Sequence, residues 1–303
     1  MKILVTGSAG QVGSYLVEHL RDFHDVVGID LRHSPIRDVD EVTAIGDIRK
    51  REDVKKVIAD VDAVVHCAAQ VSVVASIKDP LEDESHNITG TLVLLEEAAA
   101  VDVERFVYFS SAAVYGNPTA LPISESHSLA PLSPYGVSKL AGEKYTMAFY
   151  ATHGLKATAL RPFNIYSPRQ DPNNPYSGVI TRFRQRIREK KPPLIYGTGE
   201  QTRDFIHVKD VVEMVDLLLK NPAAVGTVFN CATGESTSIK ELAEIMLEIT
   251  GADALGIEYA DPIPGEIMHS RGDITLAREV LGFYPRVSLR KGLEELLLDG
   301  EEK

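Results

Sequence analysis

Cysteine is scarce in this chain. Among 303 residues only Cys67 and Cys231 occur, far apart and without CxxC spacing. That excludes a disulfide scaffold and points to buried thiols in a reducing compartment. None of the nine histidines falls in a zinc-binding pattern, so no metal is expected. Long apolar runs are missing as well. The opening MKILVTGSAG enters a strand directly, without the apolar stretch of a signal peptide or membrane span. A cytoplasmic location is the default expectation. Positive charge is in short supply: 32 Lys and Arg stand against 44 Asp and Glu, a net charge of −12. Such a chain repels nucleic acid and anionic membranes, which argues against both as main partners. Internal repeats and low-complexity tracts are absent.

What is present reads as an ordinary globular chain, 44% hydrophobic and 25% charged, long enough for one or two domains. Apolar runs predict strands at Lys2 to Thr6, Asp25 to Asp30, Ala63 to Cys67, Phe106 to Ser110 and Lys156 to Leu160. Helical patterns fall between them, at Val12 to Leu20, Arg51 to Ile58, Thr89 to Val101 and Tyr135 to Thr152. Such alternation predicts an α/β fold: a Rossmann-type, doubly wound parallel sheet covered on both faces. The style changes after Arg161. Residues 166–178 read as loop, a basic helix covers Thr181 to Lys191, and a further helix runs from Val208 to Lys220. Ser238 with Glu241 forms a capping box opening another. The expected division is a cofactor domain at 1–165 with a return segment about 204–232. A smaller mixed α/β substrate domain takes 166–203 and 233–303.

Two further features concern partners. Nine basic residues stand against three acids between Arg161 and Arg203. That excess suits a small polyanion such as a diphosphate, or equally a solvated basic helix. Thr91 to Val101 is apolar on most faces and needs cover on more than one side, which suggests a homodimer.

Gly7, Gly10 and Gly13 follow the first strand and open the first helix in G-x-x-G-x-x-G spacing. Glycine permits a sharp turn and close backbone approach to a pyrophosphate, and the helix N-terminus offers unpaired N–H groups. An acid, Asp30, ends the next strand 17 residues beyond Gly13. A carboxylate there accepts from the adenosine ribose and repels a 2′-phosphate, so NAD is expected over NADP. Further on, Tyr135 and Lys139 stand four residues apart, on one face of a helix. A free phenol ionises near pH 10. A lysine ammonium and a positive nicotinamide ring beside it would lower that value and make a base for a sugar hydroxyl.

With these residues in place, the chain resembles the extended short-chain dehydrogenase/reductases, and within them the UDP-sugar 4-epimerases. The resemblance rests on TGSAGQVG at 6–13, GDI at 46–48, HCAAQ at 66–70, HNITGT at 86–91, FSSAAVYG at 109–116, PYGVSK at 134–139, RPFN at 161–164 and TRDFIHVKD at 202–210. It implies that Gln11 and Val12 join the three glycines at NAD, that Asp47 and Ile48 contact adenine, and that Ala68, Ala69 and Asn87 line the cofactor. It implies Ser111, Tyr135 and Lys139 as the catalytic set, with Ser111 hydrogen-bonding the reacting hydroxyl. Asn164 and Arg203 would meet the diphosphate, Val179 and Tyr196 the uridine, and Glu266 its ribose. Ser270 would lie beside the sugar 2-substituent, where a small residue leaves room for an acetamido group.

The resemblance also separates branches. Sugar 4,6-dehydratases carry an Asp-Glu pair where this chain has Ala112 and Ala113. A methyl group moves no protons, so elimination is disfavoured and 4-epimerisation of a UDP-hexose through a 4-keto sugar is expected. UDP-Glc/UDP-Gal and UDP-GlcNAc/UDP-GalNAc both stay open. So do a UDP-glucuronate 4-epimerase, a dehydratase or ketoreductase, and a non-catalytic NAD-binding regulator. Two positions depart from the pattern. Ile263 stands where an arginine is usual before Pro264-Gly265, and Glu266 replaces a frequent Asp. Arg271 is a candidate for the missing charge.

Overall fold

The computed structural model describes residues 1–170, 178–263 and 265–298. Lys2–Thr6 (β1) is buried along almost its whole length, as a central parallel strand must be. β2 (Asp25–Asp30), β3 (Thr43–Ile45), β4 (Ala63–His66), β5 (Arg105–Phe109) and β6 (Ala157–Pro162) follow it. With Val228–Cys231, here β11, they form one seven-stranded sheet in the order β11-β6-β5-β4-β1-β2-β3, parallel throughout. The expected Rossmann-type sheet is therefore present. Strand ends differ from expectation by a residue or two. The three-residue β3 lacks any alternation long enough to read.

Helices cover both faces. α1 (Gln11–Arg21), α9 (Val208–Lys220) and α11 (Thr275–Leu281) pack Leu16, Val17, Val211, Val215 and Leu281 against one. α3 (Arg51–Ile58) and α6 (Gly90–Ala100) bury Val54, Val57, Leu94, Leu95 and Ala98 against the other. Each of these valines and leucines contributes about 1.5–3 kcal/mol. A four-residue α2 (Arg37–Asp40) precedes β3, and α4 (Val73–Lys78) and α5 (Pro80–Glu84) precede α6. The helix expected from Thr89 in fact begins at Pro80. Asp79 caps it by accepting the Glu82 N–H at 3.0 Å, and a π-helical turn, Ser85–Thr89, joins α5 to α6.

α7 (Pro134–His153) lies beside α6 and α3 lies on its other flank. The apolar α6 is thus largely covered by its own chain, which removes the reason given above for a partner there. α7 is well delimited: Ser133 accepts the Gly136 N–H at 3.1 Å and Gly154 ends it at φ +71°.

The remaining elements form a smaller layer. Two-stranded sheets pair β7 (Asn164–Tyr166) with β10 (Phe205–His207), β8 (Leu194–Tyr196) with β13 (Glu258–Ala260), and β9 (Thr202–Arg203) with β12 (Thr237–Ser238). Phe183 of α8 (Val179–Arg188), Met246 of α10 (Ile239–Thr250) and Leu296 of α12 (Leu289–Leu298) fill its core. Ser238 accepts the Glu241 N–H at 3.0 Å, the serine half of the expected capping box. Of the loop read at 166–178, Tyr166 ends β7, and 171–177, like Pro264, lie outside the described residues. Among the described residues, no helix is long and apolar enough to cross a membrane.

Candidate active site

The glycine-rich turn sits at the carboxyl end of β1, above the sheet. Gly7 has φ +70°, and a Cβ there would lie 2.8 Å from the Ala68 nitrogen. A Cβ on Gly13 would lie 2.0 Å from the Gly7 carbonyl oxygen. Both positions therefore need glycine. Gly10 caps α1 without any side-chain bond, so the first-turn N–H groups face outward beside Gln11 and Val12. The Gln11 side-chain nitrogen is buried with no partner among the described residues. A bare helix start, a backbone cradle and an orphaned amide fit a dinucleotide pyrophosphate. Asp30 stands at the end of β2, half-buried, and accepts the Ala9 and Arg32 N–H groups at 3.0 and 3.2 Å. Asp47 is buried and doubly bonded to Arg49, whose guanidinium holds its carboxyl below the ordinary range. Ile48 is buried against Gly90.

Ala68 and Ala69 follow β4, half-buried. A directed chain fixes their loop. The Thr91 hydroxyl donates to the Asn87 carbonyl at 2.7 Å, so it must accept from His66 Nε2–H at 3.0 Å. His66 Nδ1 then accepts from Thr6 at 2.8 Å, and Thr6 accepts the Ala68 N–H at 3.1 Å. Burial and Lys139 hold this imidazole down to about 3, hence neutral. Asn87, expected at the cofactor, is buried, and its amide is engaged within the protein by Gln70, Asp83 and Ser138.

Tyr135 and Lys139 occupy the first turns of α7. The Tyr135 phenol is half-buried and faces the Ser111 hydroxyl. Ser111 starts a 3₁₀ turn, Ala112–Tyr115, and accepts the Ala113 N–H at 3.1 Å. Lys139 is 3% exposed, its Nζ 4.5 Å from the Tyr108 ring centroid. The electrostatics differ from expectation. Burial raises the phenol above its ordinary value, with Ser111 opposing and Asp83 adding to the rise. Burial also pulls Lys139 down to about 8, opposed by Cys67, Asp83 and Glu143. Lys139 alone therefore does not produce a low phenol pKa, because desolvation disfavours both charged forms.

About 250 Å³ of cleft opens between α8, β8 and β9, lined by Asn164, Val179, Tyr196, Arg203, Ile263 and Glu266. Five residues expected to touch substrate thus meet in one place. Arg203 and Glu266 pair with each other at 3.0 Å. Ser270 lies beyond that lining, its N–H bonded to the Thr202 carbonyl at 3.2 Å. The basic stretch is not one patch. Arg161 is buried, while Arg169, Arg186 and Lys191 pair with Glu18, Glu258 and Glu189.

Several charged residues of the sequence motifs, among them Arg161 of the basic stretch, are structural. Arg161 donates two buried hydrogen bonds to the Glu143 carboxylate, at 2.9 and 2.7 Å. Asp204 accepts the Thr233, Gly234 and Gly272 N–H groups at 2.8, 2.9 and 3.2 Å, tying three loops behind the cleft. Asp210 accepts the Arg286 and Val287 N–H groups at 2.8 and 3.2 Å. A buried acid in a short motif was the available signal, since such acids need donors.

Comparison with known proteins agrees with this geometry. The profile of the NAD dependent epimerase/dehydratase family matches residues 3–232. The chain is 38% identical to a UDP-glucose 4-epimerase of Mycolicibacterium smegmatis, over 97% of this chain and 96% of that one. It superposes on the UDP-glucose 4-epimerase of Thermotoga maritima, solved with UDP-glucose, with a TM-score of 0.93, 36% identity and coverage of 99% and 98%. A UDP-N-acetylglucosamine 4-epimerase from Methanobrevibacter ruminantium, in complex with UDP-N-acetylmuramic acid, gives 0.91, 34% identity and coverage of 98% and 96%. A seven-stranded parallel sheet, a glycine cradle for a dinucleotide and these matches along the whole chain make this protein a member of the NAD-dependent epimerase/dehydratase family.

Proposed function

We propose that the chain interconverts UDP-hexoses at C4, and the observation that carries the reading is Tyr135 and Lys139 on one helix facing Ser111, with methyl groups at Ala112 and Ala113. NAD⁺, held by Gly7, Gly10, Gln11, Val12, Gly13 and Asp30 with Asp47, Ile48, Ala68, Ala69 and Asn87 alongside, would supply hydride acceptance and return at the sugar C4. Tyr135 takes the proton from the 4-hydroxyl and gives it back. Ser111 donates to the oxygen as charge develops on it. The Lys139 ammonium favours phenolate over phenol. The 4-keto sugar turns over between the two half-reactions, and no net oxidation results. Ala112 and Ala113 offer no group to move protons at C5 or C6, which favours epimerisation over 4,6-elimination.

In this reading the nucleotide lies in the cleft between the sheet unit, 1–165 with 204–232, and the smaller unit, 166–203 with 233–303. Asn164 and Arg203 meet the diphosphate, Val179 and Tyr196 the uridine, and Glu266 the ribose. Ser270 lies beside the sugar 2-substituent, small enough for either a hydroxyl or an acetamido group, so both hexose pairs are substrates. Incubation with UDP-galactose and UDP-GalNAc, with products resolved chromatographically, should yield the C4 epimers without NADH being consumed. A 4-keto product, or reduction that depends on added NADH, would sink the reading.

Two copies pair through α4, α5 and α7, which leave Ile77, Leu81, Val137 and Tyr145 at 62%, 78%, 51% and 42% exposure. Equilibrium sedimentation at micromolar concentration should find a dimer. A monomer there removes this part of the proposal.

A further inference from the structure

Arg169 stands in the turn that follows β7, and the reaction as described does not use it. That turn, 167–170, closes with the Gln170 N–H donating to the Ser167 carbonyl at 3.3 Å, with Pro168 at its second position. From it the Arg169 side chain reaches α1. Its Nη2 donates to both oxygens of the Glu18 carboxylate, at 2.8 and 2.6 Å, and its Nη1 donates to Ser14 Oγ at 3.2 Å. The guanidinium carbon lies 3.9 Å from the Tyr15 ring centroid. Three residues of α1 therefore hold one arginine. A planar fork that meets a carboxylate and a hydroxyl at once, and stacks on a ring, fixes orientation as well as distance.

α1 is the helix whose first turn offers its N–H groups to the dinucleotide. The Ser14 hydroxyl that accepts from Arg169 donates in turn to the Gln11 carbonyl at 3.2 Å. The bonds run from Arg169 through Ser14 to Gln11, the residue with the orphaned buried amide.

The next residue holds the other unit. Gln170 Oε1 accepts from the Thr181 hydroxyl at 2.8 Å, and Thr181 is buried in the first turn of α8. A Cβ on Gly178, which caps that helix, would lie 3.4 Å from Gln170 Nε2. α8 brings Val179 to the cleft, and β7 brings Asn164. Two successive side chains of one four-residue turn thus join the pyrophosphate helix to the helix that lines the cleft. The Arg169–Glu18 pair is partly open to solvent, where an ion pair adds little to global stability. What it sets is the placement of one unit against the other.

We propose that the turn 167–170 is a brace between the two sites, with Arg169 a positioning residue for bound NAD and Gln170 a positioning residue for the nucleotide sugar. The Arg169 half rests on NAD binding alone, and the Gln170 half rests also on the UDP-hexose reading. Without Arg169, α1 keeps its glycine cradle but loses the tie that holds its first turn in place, so NAD leaves faster.

The test of the first half is Arg169→Met in the full chain loaded with NAD. Exchange of bound NAD for isotope-labelled NAD should run about ten-fold faster than in wild type. Exchange within about two-fold of wild type, whatever the melting temperature, means packing alone and overturns this half. Should Arg169→Met not fold, Glu18→Gln decides, because it weakens the same tie from α1 and leaves the arginine in place. It should speed exchange about three-fold, and an unchanged rate overturns the role of Arg169. For the second half, Gln170→Ala at saturating NAD should raise KM for UDP-galactose about three-fold or more, with kcat within about two-fold of wild type. An unmoved KM overturns the role of Gln170. Failure of the wild-type chain to convert UDP-galactose would sink the reading beneath that half, and the NAD exchange result would stand apart from it.

Discussion

Replacing Tyr135 by Phe should lower kcat by about 10³-fold or more, leaving bound NAD and KM for the nucleotide sugar nearly unchanged. The substitution removes one oxygen. The ring keeps its place because α7 is held from its backbone: Ser76 accepts the Tyr135 N–H and Ser133 caps the helix. Lys139 keeps its seat on Tyr108. What disappears is the group that moves the proton at the sugar oxygen, and neither neighbour replaces it. Ser111 is not acidic enough, and Lys139 is buried with its Nζ over the Tyr108 ring. Steady-state kinetics with a fluorescence titration of NAD check this. A kcat within about ten-fold of wild type would remove Tyr135 from the chemistry.

Replacing Arg161 by Met should cost about 3–5 kcal/mol of stability, seen as a melting temperature lowered by roughly 10 °C. Arg161 on β6 is 3% exposed and Glu143 on α7 is fully buried. Their two-hydrogen-bond ion pair is extended on both sides. Arg161 Nη1 donates to the Tyr115 hydroxyl at 2.9 Å and to the Glu125 carbonyl at 3.0 Å. Tyr115 donates to Asn230 Oδ1 at 2.6 Å, and Asn230 Nδ2 donates to the Ile123 and Asp273 carbonyls at 2.8 and 3.0 Å. Methionine fills much of the space but leaves the Glu143 carboxylate in an apolar interior with only Ser110 donating to it. Adding Glu143→Leu should recover much of the loss, because an uncompensated charge is worse than no charge. Denaturant unfolding of both variants measures it. A single-variant loss below about 1 kcal/mol would show that the pair is not the buried anchor described.

The two results probe different kinds of information. The helix that carries Tyr135 was legible because its signal is local: Tyr and Lys one helical turn apart share a face in any helix. The glycine turn was legible for the same reason, since a strand, three glycines and a helix lie within twenty residues. Arg161 was misread as part of a positive stretch because its partner, Glu143, stands on a different element. The helix start at Pro80 was written in the chain, in Asp79 and the proline after it, and was passed over. The short strands β7 to β10 carry no periodicity of their own. Pairing makes them strands, and pairing follows from the tertiary fold.

The sequence by itself determined the doubly wound parallel sheet, the glycine cradle, the Tyr135–Lys139 helix and the acid-free turn after Ser111. Each of these is encoded by residues close together in the chain, where backbone geometry sets who neighbours whom. The tertiary structure alone decided which buried charges face one another: Arg161 with Glu143, and Arg203 with Glu266. It also decided the protonation tendencies of the active helix, because desolvation depends on what every other element packs over a side chain, and no local spacing records that.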